Sequence, residues 1–296
     1  MILGIWDGHN SSASVVDDGK IISAVNEERF TRRKLEPMFP VNSIKYCMEF
    51  SRMKPSDVSE IAVSTSDFSL TLTRAFPQIK DKYWYVRRHL TDKPGTDSLN
   101  RVILNNTGKI KSNILLKNVS NYFIKKELAK LGFDMNKTRL HIVGHHMAHA
   151  ASAYYTSGMN RATCITLDAL GDGISSTVNA CNNGEIETIS SNPTEHSLGL
   201  FFQEVVNLAG MRILEDEGKV MALSDFSYMT KNDKNPMLDF FEIRGTKIFS
   251  KHSPEKRYNL LKNILWKTSA ENFSYIAQSS LEEFAVKFFS NSIEDS

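Results

Sequence analysis

The chain has 296 residues, of which 41% are apolar and 24% are charged, and its formal net charge is +2. This composition can form a buried core, and the near-zero charge gives no global field that would attract nucleic acid or a membrane. No run approaches the roughly 20 apolar residues of a membrane span, and Asp7 interrupts the first apolar segment before a signal-peptide core can form.

Three cysteines, Cys47, Cys164 and Cys181, lie far apart in the sequence, without a CxxC motif or the spacing of a disulfide framework. Such isolated thiols are typical of proteins in a reducing compartment. We therefore expect a soluble, cytoplasmic α/β protein.

The first part of the chain predicts a β-meander followed by a helix and another strand. Short apolar or alternating runs are separated by polar turns, and residues 42–50 carry apolar side chains on one helical stripe. The predicted strands are Ile2–Trp6, Ser12–Val16, Lys20–Val25 and Ile61–Ser64, and the predicted helix is Asn42–Phe50.

A second segment has the same order of elements as the first. This order is a strand, an Asp-containing turn, a second strand, an Asx-Gly turn and a third strand. Its predicted strands are Ala162–Leu167, Ser175–Ala180 and Glu185–Ile189, with Asp168 in the place of Asp7. Two related lobes of this kind predict an actin-like ATPase fold, which consists of two duplicated, ribonuclease-H-like lobes. We expect lobes at 1–160 and 161–296, and the alternative is two unrelated hairpins that share common turn chemistry.

A basic insertion at about 66–139 separates these segments. Between Arg74 and Arg139 there are 15 Lys and Arg residues against 5 Asp and Glu residues, with aromatic side chains near the start. Such a stretch could contact nucleic acid, or could form a basic rim that attracts a small anionic substrate. No basic-aromatic spacing repeats, so we favour a solvated helical insertion with its cations directed outward.

The segment Gly144–Ala150 contains three histidines within five positions. On a helix, His145 and His149 are four residues apart and share a face, while His146 is turned away. One helix can supply two imidazole ligands to a metal in this way, and Asp168 at a strand end is the best third candidate. Nitrogen, nitrogen and oxygen ligands favour iron or zinc. The alternative for Asp168 is a turn carboxylate that accepts backbone N–H groups.

Two charged segments and one turn give weaker signals. The turn Asp7–Ala13 could present backbone N–H groups to a phosphate, although many β-hairpins have similar turns. The segments Glu27–Lys34 and Glu215–Met221 are either solvated charge runs or cations placed near an anion.

Taken together, these motifs resemble a known family. The series GHNSSASVV, EERFTRRK, FPVNSIKYC, GHHMAHAASAYY, LDALGDG, SLGLFFQEV and DEGKVMAL is similar to that of the carbamoyltransferases of the nodulation-factor and antibiotic O-carbamoylation type. Their first domain is similar to the tRNA threonylcarbamoyladenosine enzyme and to the hydrogenase-maturation carbamoyltransferase. The resemblance extends from residue 2 to about Leu223.

The resemblance implies an ATP-dependent transfer of a carbamoyl group from carbamoyl phosphate, through carbamoyl-adenylate, to an acceptor hydroxyl. ATP and carbamoyl phosphate would be co-substrates, and a divalent iron or zinc ion would assist. The implied metal ligands are His145, His149 and Asp168, the catalytic residues are His9, Asn10 and Lys34, and the cationic contacts are Arg29, Arg32 and Lys219. Asn10 replaces an acid that the family carries at this position, which weakens a general-base role there.

The C-terminal part departs from the family. The family has a glycine-rich nucleotide-binding turn later in its second lobe, whereas this chain has no glycine after Gly245. We therefore expect an incomplete second lobe and an inactive chain that needs a missing C-terminal segment or a second chain. The region Phe273–Ile293 predicts one amphipathic helix whose apolar face is exposed and promotes self-association.

The expected partners are a small-molecule hydroxyl acceptor and a second copy of the chain, and neither a membrane nor nucleic acid is expected. Two alternative functions remain. One is a nucleotide- and metal-binding actin-like protein of the tRNA threonylcarbamoyl-modification type, and the other is a non-catalytic fragment.

Overall fold

A computed structural model describes residues 1–87 and 112–294 of the chain. These residues form two compact units, 1–148 and 149–296, each with its own core. The boundary that the sequence predicts between two lobes, at residues 160/161, stays a prediction.

The first unit is built on a five-stranded sheet in the order β3-β2-β1-β4-β5. Strands β1, β2 and β3 are antiparallel neighbours, whereas β4 and β5 continue the sheet parallel to β1. The strands are β1 Ile2–Trp6, β2 Ser12–Asp17, β3 Lys20–Asn26, β4 Glu60–Ser64 and β5 Arg139–Val143. The four strands predicted for this part are therefore confirmed.

Alternating burial explains why these segments form strands. Leu3 and Ile5 of β1 are buried with Val15 of β2 and Val63 of β4 in one apolar core, and burial of apolar surface is the main stabilising contribution to such a sheet. Helix α2 covers this core with Ile44 and agrees with the predicted helix. The helices are α1 Glu28–Thr31, α2 Val41–Phe50, α3 Phe68–Ala75, α4 Pro77–Arg87 and α5 Ile114–Lys130.

The predicted basic insertion consists of α3, α4 and α5 in its described part, and residues 88–111 lie outside the described residues. Lys117, Lys126 and Lys130 of α5 are exposed, as expected for a solvated helix. Arg74 and Lys80 are instead buried. The expectation of outward cations is wrong for these two, because the buried carboxylate of Asp7 compensates their charge.

The second unit is built on an antiparallel meander, β6-β7-β8, and a small hairpin, β9-β10. The three predicted strands are confirmed and are longer than predicted. The elements are α6 His145–Ser157 (which begins just before the division between the units), β6 Arg161–Gly171, β7 Ile174–Asn182, β8 Glu185–Pro193, α7 Leu198–Leu208, α8 Glu217–Ser224, β9 Phe241–Arg244, β10 Lys247–Ser250, α9 Pro254–Trp266 and α10 Ala270–Glu294.

Helix α10 confirms the predicted C-terminal helix but not its exposed apolar face. Phe273, Ile276, Phe284 and Phe288 are buried in the core of the second unit. They pack with apolar residues of α7 and of the β9-β10 hairpin, such as Phe241, whose ring centroid lies 5.4 Å from that of Phe284. The expected exposed face is therefore wrong, because these preceding elements already cover it.

Both units contain the antiparallel meander that the sequence repeat predicts, and the chain is a mixed α/β protein. In the described residues, the first sheet continues with two parallel strands, whereas the β6-β7-β8 sheet has three strands. Duplication of two actin-like lobes stays a prediction. None of the helices in residues 1–87 and 112–294 has both the length and the apolar character that crossing a membrane requires.

Candidate functional site

Helix α6 and the end of strand β6 place two imidazoles and one carboxylate together. One ligand atom each from His145, His149 and Asp168 lies within 4.8 Å of the others. His149 Nε2 is 3.7 Å from Asp168 Oδ2. The two histidines are neighbours because four residues make about one helical turn, as the sequence predicts.

The packing of α6 on the β6-β7 sheet fixes this approach. Ala150 and Tyr154 of the helix are buried against Cys164 and Cys181 of the strands. The Cys164 thiol donates to the Ala150 carbonyl at 3.6 Å, and burial raises the pKa of this thiol. Cys164 thus behaves as a small apolar residue that holds the helix beside β6.

The Asp168 end of β6 is held by the first turn of α7. The Ser197 hydroxyl accepts from the Leu200 N–H at 3.0 Å and lies 2.7 Å from the Ala169 carbonyl oxygen, to which it donates. Gly199 lies so close that a Cβ there would be 2.7 Å from the Ala169 backbone. Only glycine allows this approach, so α7 sets the position of the Asp168 backbone.

The three side chains have the chemistry of a metal centre. Two imidazoles and one carboxylate are common ligands of zinc and iron. Two ligand atoms on one tetrahedral zinc ion are about 3.4 Å apart, given bond lengths of about 2.1 Å. The 3.7 Å between His149 and Asp168 is close to this value. The three ligand atoms, all within 4.8 Å of one another, are therefore close enough to be candidates for one shared ion.

The turn between β1 and β2 contains His9 and Asn10. Asn10 has φ = 58°, in the left-handed region that asparagine tolerates better than most residues. The Trp6 indole N–H donates to the His9 carbonyl at 2.6 Å. The Trp6 ring centroid lies 5.9 Å from the ring centroids of both His9 and His145. Trp6 therefore contacts both histidines, a relationship that the sequence analysis missed.

Asp7, one residue beyond β1, forms a buried charge cluster. The Arg74 guanidinium binds both its carboxylate oxygens, at 2.8 and 2.7 Å, and also donates to Ser120 Oγ at 2.9 Å. The Lys80 ammonium donates to the Asp7 carbonyl. Burial alone would raise the pKa of Asp7, but Arg74 and Lys80 outweigh burial and lower it to about 2. Asp7 is thus an ionised structural anchor for α3 and α4.

The sequence-predicted cation Lys34 follows α1 and is mostly exposed. Its ammonium lies 3.1 Å from Glu28 Oε1, and its carbonyl accepts from the Trp84 indole N–H at 2.8 Å. Arg29 and Arg32 are exposed on the same segment.

The neighbouring Arg33 contributes more to the structure. Its guanidinium lies 4.3 Å from the centroid of the Trp84 ring and donates to Asp81 at 2.7 Å. No sequence signal marked Arg33, because Asp81 and Trp84 lie about 50 residues away from it in the sequence.

Glu27 begins the same charged segment but is buried. Its carboxylate accepts four hydrogen bonds from backbone and side-chain groups of Asn42 and Ser43, each at 3.0 Å or less. It thus satisfies N–H groups at the start of α2, where a negative charge is stabilised by the helix dipole. The solvated-run interpretation is wrong for Glu27.

Lys219, the other sequence-predicted cation, lies in the first turn of α8. Its ammonium is 2.8 Å from Asp216 Oδ1. This hydrogen bond, together with the backbone N–H of Arg212, lowers the pKa of Asp216 to about 2. Lys219 itself is mostly exposed and is held at the start of the helix.

Comparison with known proteins places these features in a family. The family model described as "Carbamoyltransferase N-terminus" matches residues 1–293. Nodulation protein NolNO of Sinorhizobium fredii is 28% identical over 235 residues, which cover 79% of this chain and 29% of that protein. Nodulation protein NolO of Bradyrhizobium diazoefficiens is 29% identical over 122 residues, which cover 41% of this chain and 22% of that protein.

The comparisons also found a relative from an archaeon and a solved structure. An uncharacterized protein of Methanocaldococcus jannaschii is 28% identical over 79% of this chain and 34% of its own length. A structural comparison covers 97% of this chain and 76% of the Acidaminococcus fermentans (R)-2-hydroxyglutaryl-CoA dehydratase component A, with 14% identity and a TM-score of 0.45. This TM-score does not establish a shared fold.

The chain spans about a third of the length of the relatives matched over most of its length. The family match covers nearly the whole chain, including the candidate metal ligands and the predicted catalytic and cationic residues. The chain therefore belongs to the carbamoyltransferase N-terminus family.

Proposed function

We propose that this chain is the metal-binding part of an O-carbamoyltransferase that uses carbamoyl phosphate and ATP and transfers the carbamoyl group, through carbamoyl-adenylate, to an acceptor hydroxyl. The observation that carries the proposal is the convergence of His145, His149 and Asp168 in a chain that belongs to this family. This chain spans about a third of the length of its matched relatives, so we propose the whole reaction for a protein of their length.

We propose that His145, His149 and Asp168 hold a divalent iron or zinc ion. Both histidines come from one helix and Asp168 from the neighbouring strand end, so three ligands leave coordination positions for a substrate. When bound, such an ion acts as a Lewis acid on a carbonyl or phosphoryl oxygen. The α6–β6 packing and the Ser197 contact with the Ala169 carbonyl hold the backbone that carries the ligands in place, which favours ion binding by a preorganised site.

We propose that Lys34, with Arg29 and Arg32, contacts the phosphate of carbamoyl phosphate or of the adenylate. Lys34 and the two arginines are exposed, so they are accessible to an anion. Lys219 is a second candidate contact. His9 lies in an exposed turn. Its imidazole can accept the proton of the acceptor hydroxyl while the hydroxyl oxygen bonds to the carbamoyl carbon and the bond from that carbon to the adenylate phosphate breaks, which releases AMP. Asn10 can donate a hydrogen bond that orients the acceptor.

The alternative is a nucleotide- and metal-binding protein of the tRNA threonylcarbamoyl-modification type with an actin-like fold. The same three ligands support this alternative, so the acceptor distinguishes the two functions. We propose a cytoplasmic location because the three cysteines are buried free thiols, which is typical of a reducing compartment.

The first experiment measures metal content. The purified chain, loaded with Zn²⁺ or Fe²⁺ and then desalted, should retain close to one ion per chain by elemental analysis. His149→Ala should lose most of it. His141→Ala is the matched control, because His141 is an exposed histidine whose Nε2 contacts Glu60 at 2.9 Å. Equal metal content in the wild type and His149→Ala would overturn the proposed centre.

The second experiment tests the reaction in the complete protein. With carbamoyl phosphate, ATP and candidate hydroxyl compounds, the complete protein should release AMP and form a carbamoylated product. His149→Ala should reduce both by at least tenfold, whereas His141→Ala should not. Transfer only to tRNA would favour the alternative function, and no transfer by the metal-loaded complete protein would contradict carbamoyl transfer.

A further inference from the structure

We infer that Trp6 is a positioning residue for the metal ligand His145, an inference that rests on the proposed metal centre. Trp6 is the last residue of β1, and its indole ring centroid lies 5.9 Å from that of the His145 imidazole, with an angle of 58° between the planes. His145 is the first residue of α6. Its ring centroid also lies 5.4 Å from that of His146, and the indole adds an aromatic contact from outside the helix that restricts the orientation of the His145 ring.

The indole is itself fixed on two sides. Its N–H donates to the His9 carbonyl at 2.6 Å. Its six-membered ring covers Gly8 so closely that a Cβ on this glycine would lie 2.2 Å from Trp6 Cζ2. A side chain at residue 8 would therefore displace the indole. Trp6 and Gly8 form a matched pair in which the glycine makes room for the ring.

This arrangement gives Trp6 a definite effect on metal binding. A metal-ligating imidazole binds well only when its ring is held in the correct orientation, and loss of an outer contact that orients a ligand commonly reduces affinity 10- to 100-fold. Trp6 provides an aromatic contact rather than a hydrogen bond. It also lies between His145 and the His9 turn, so the same ring positions a metal ligand and the backbone that carries the proposed catalytic histidine.

Co²⁺ is the probe for this inference, because its visible absorption reports coordination and because the bound ion quenches a nearby indole. In the wild-type chain, we expect stoichiometric Co²⁺ binding with quenching of tryptophan fluorescence. Trp6→Leu should bind Co²⁺ about tenfold more weakly by visible absorption, with a changed spectrum. Trp6→Phe, which keeps an aromatic ring, should recover most of the affinity but lose the quenching.

Two further variants complete the test. Gly8→Ala should weaken Co²⁺ binding as Trp6→Leu does, because the methyl group displaces the indole. Trp266→Phe is the matched control, because the Trp266 side chain is 89% exposed, and it should keep both affinity and quenching. Thermal denaturation of each variant shows whether it is folded.

The outcomes separate this inference from the proposed function. If folded Trp6→Leu and Gly8→Ala bind Co²⁺ as tightly as the wild type and with the same spectrum, the positioning role is overturned and the metal centre stands. If the wild type binds neither Co²⁺ nor Zn²⁺, both the metal centre and the role of Trp6 are overturned.

Discussion

The Arg74 guanidinium occupies both oxygens of the Asp7 carboxylate, at 2.8 and 2.7 Å. Asp7 and Asp168 hold matching places in the sequence repeat, each at the end of an apolar strand that opens a meander. Asp7 is fully buried and tied to two cations, whereas the Asp168 side chain is 37% exposed and faces His149. The same local pattern thus forms a structural anchor in one unit and a candidate metal ligand in the other.

Asp7→Asn should strongly destabilise the protein. The substitution leaves the Arg74 and Lys80 charges buried without a carboxylate, and breaking a buried ion pair in this way costs about 3–5 kcal/mol. Denaturant unfolding should show this loss. Asp17→Asn is the control, because Asp17 is partly exposed and forms a 3.7 Å pair with the N-terminus, and it should change stability by less than about 1 kcal/mol. Equal effects of the two substitutions would contradict the anchoring role.

The stability that Asp7 contributes should be lost in acid. Its pKa falls from 3.8 to about 2 on folding, so the unfolded chain binds the proton more readily than the folded one. The contribution, about 2 kcal/mol, is present above pH 4 and disappears as the pH falls from about 4 to 2. The difference in the free energy of unfolding between wild type and Asp7→Asn, measured with urea, should shrink by about 2 kcal/mol over this range. A constant difference between them down to pH 2 would contradict the lowered pKa.

Gly199→Ala should disturb the Asp168 strand end. The added methyl group would lie 2.7 Å from the Ala169 backbone, so α7 or β6 must move. We expect weaker Zn²⁺ binding and a loss of stability of about 1–3 kcal/mol, the usual range for overpacking. Gly218→Ala is the control, because a Cβ there meets no atom within 4 Å. Unchanged Zn²⁺ affinity in Gly199→Ala would show that α7 does not set the Asp168 position.

Lys34→Met should weaken the use of carbamoyl phosphate in the complete protein. A charge-assisted hydrogen bond contributes about 1.5–3 kcal/mol, so we expect the KM for carbamoyl phosphate to rise about tenfold or more. The melting temperature should change little, because the Lys34–Glu28 pair is exposed at the lysine. Lys20→Met, at the exposed β2-β3 turn, is the control. Identical steady-state kinetics for the two variants would show that Lys34 is a solvated surface residue that does not contact carbamoyl phosphate.

Phe288→Ala should show that α10 belongs to the core of the second unit. Phe288 is fully buried, and truncation of such a side chain costs about 3–5 kcal/mol. Val286→Ala, on the exposed side of the same helix, should cost much less. Thermal unfolding compares the two. Similar small losses, with a concentration-dependent association of the wild type in analytical ultracentrifugation, would instead support an exposed apolar face.

Local patterns in the sequence predict much of this structure. The meanders are predictable because alternating residues with Gly-containing turns have few other stable conformations, and the two histidines of α6 share a face because helical geometry is local. The candidate ligands His145, His149 and Asp168 were thus identifiable from spacing, together with the family resemblance.

The tertiary structure alone decided which charges are buried and which apolar faces are covered. Arg74, Lys80 and Glu27 look like solvated charges in the sequence, but Asp7, which binds both cations, and Asn42, which binds Glu27, lie 15 to 73 residues away from them. Trp6 gains its role through a contact with His145, which is still further away in the sequence. Gly199 gains its role through a close approach to Ala169, which lies on a different element. A residue's type and spacing specify local geometry, whereas its burial and ionisation depend on contacts that exist only after distant segments pack together.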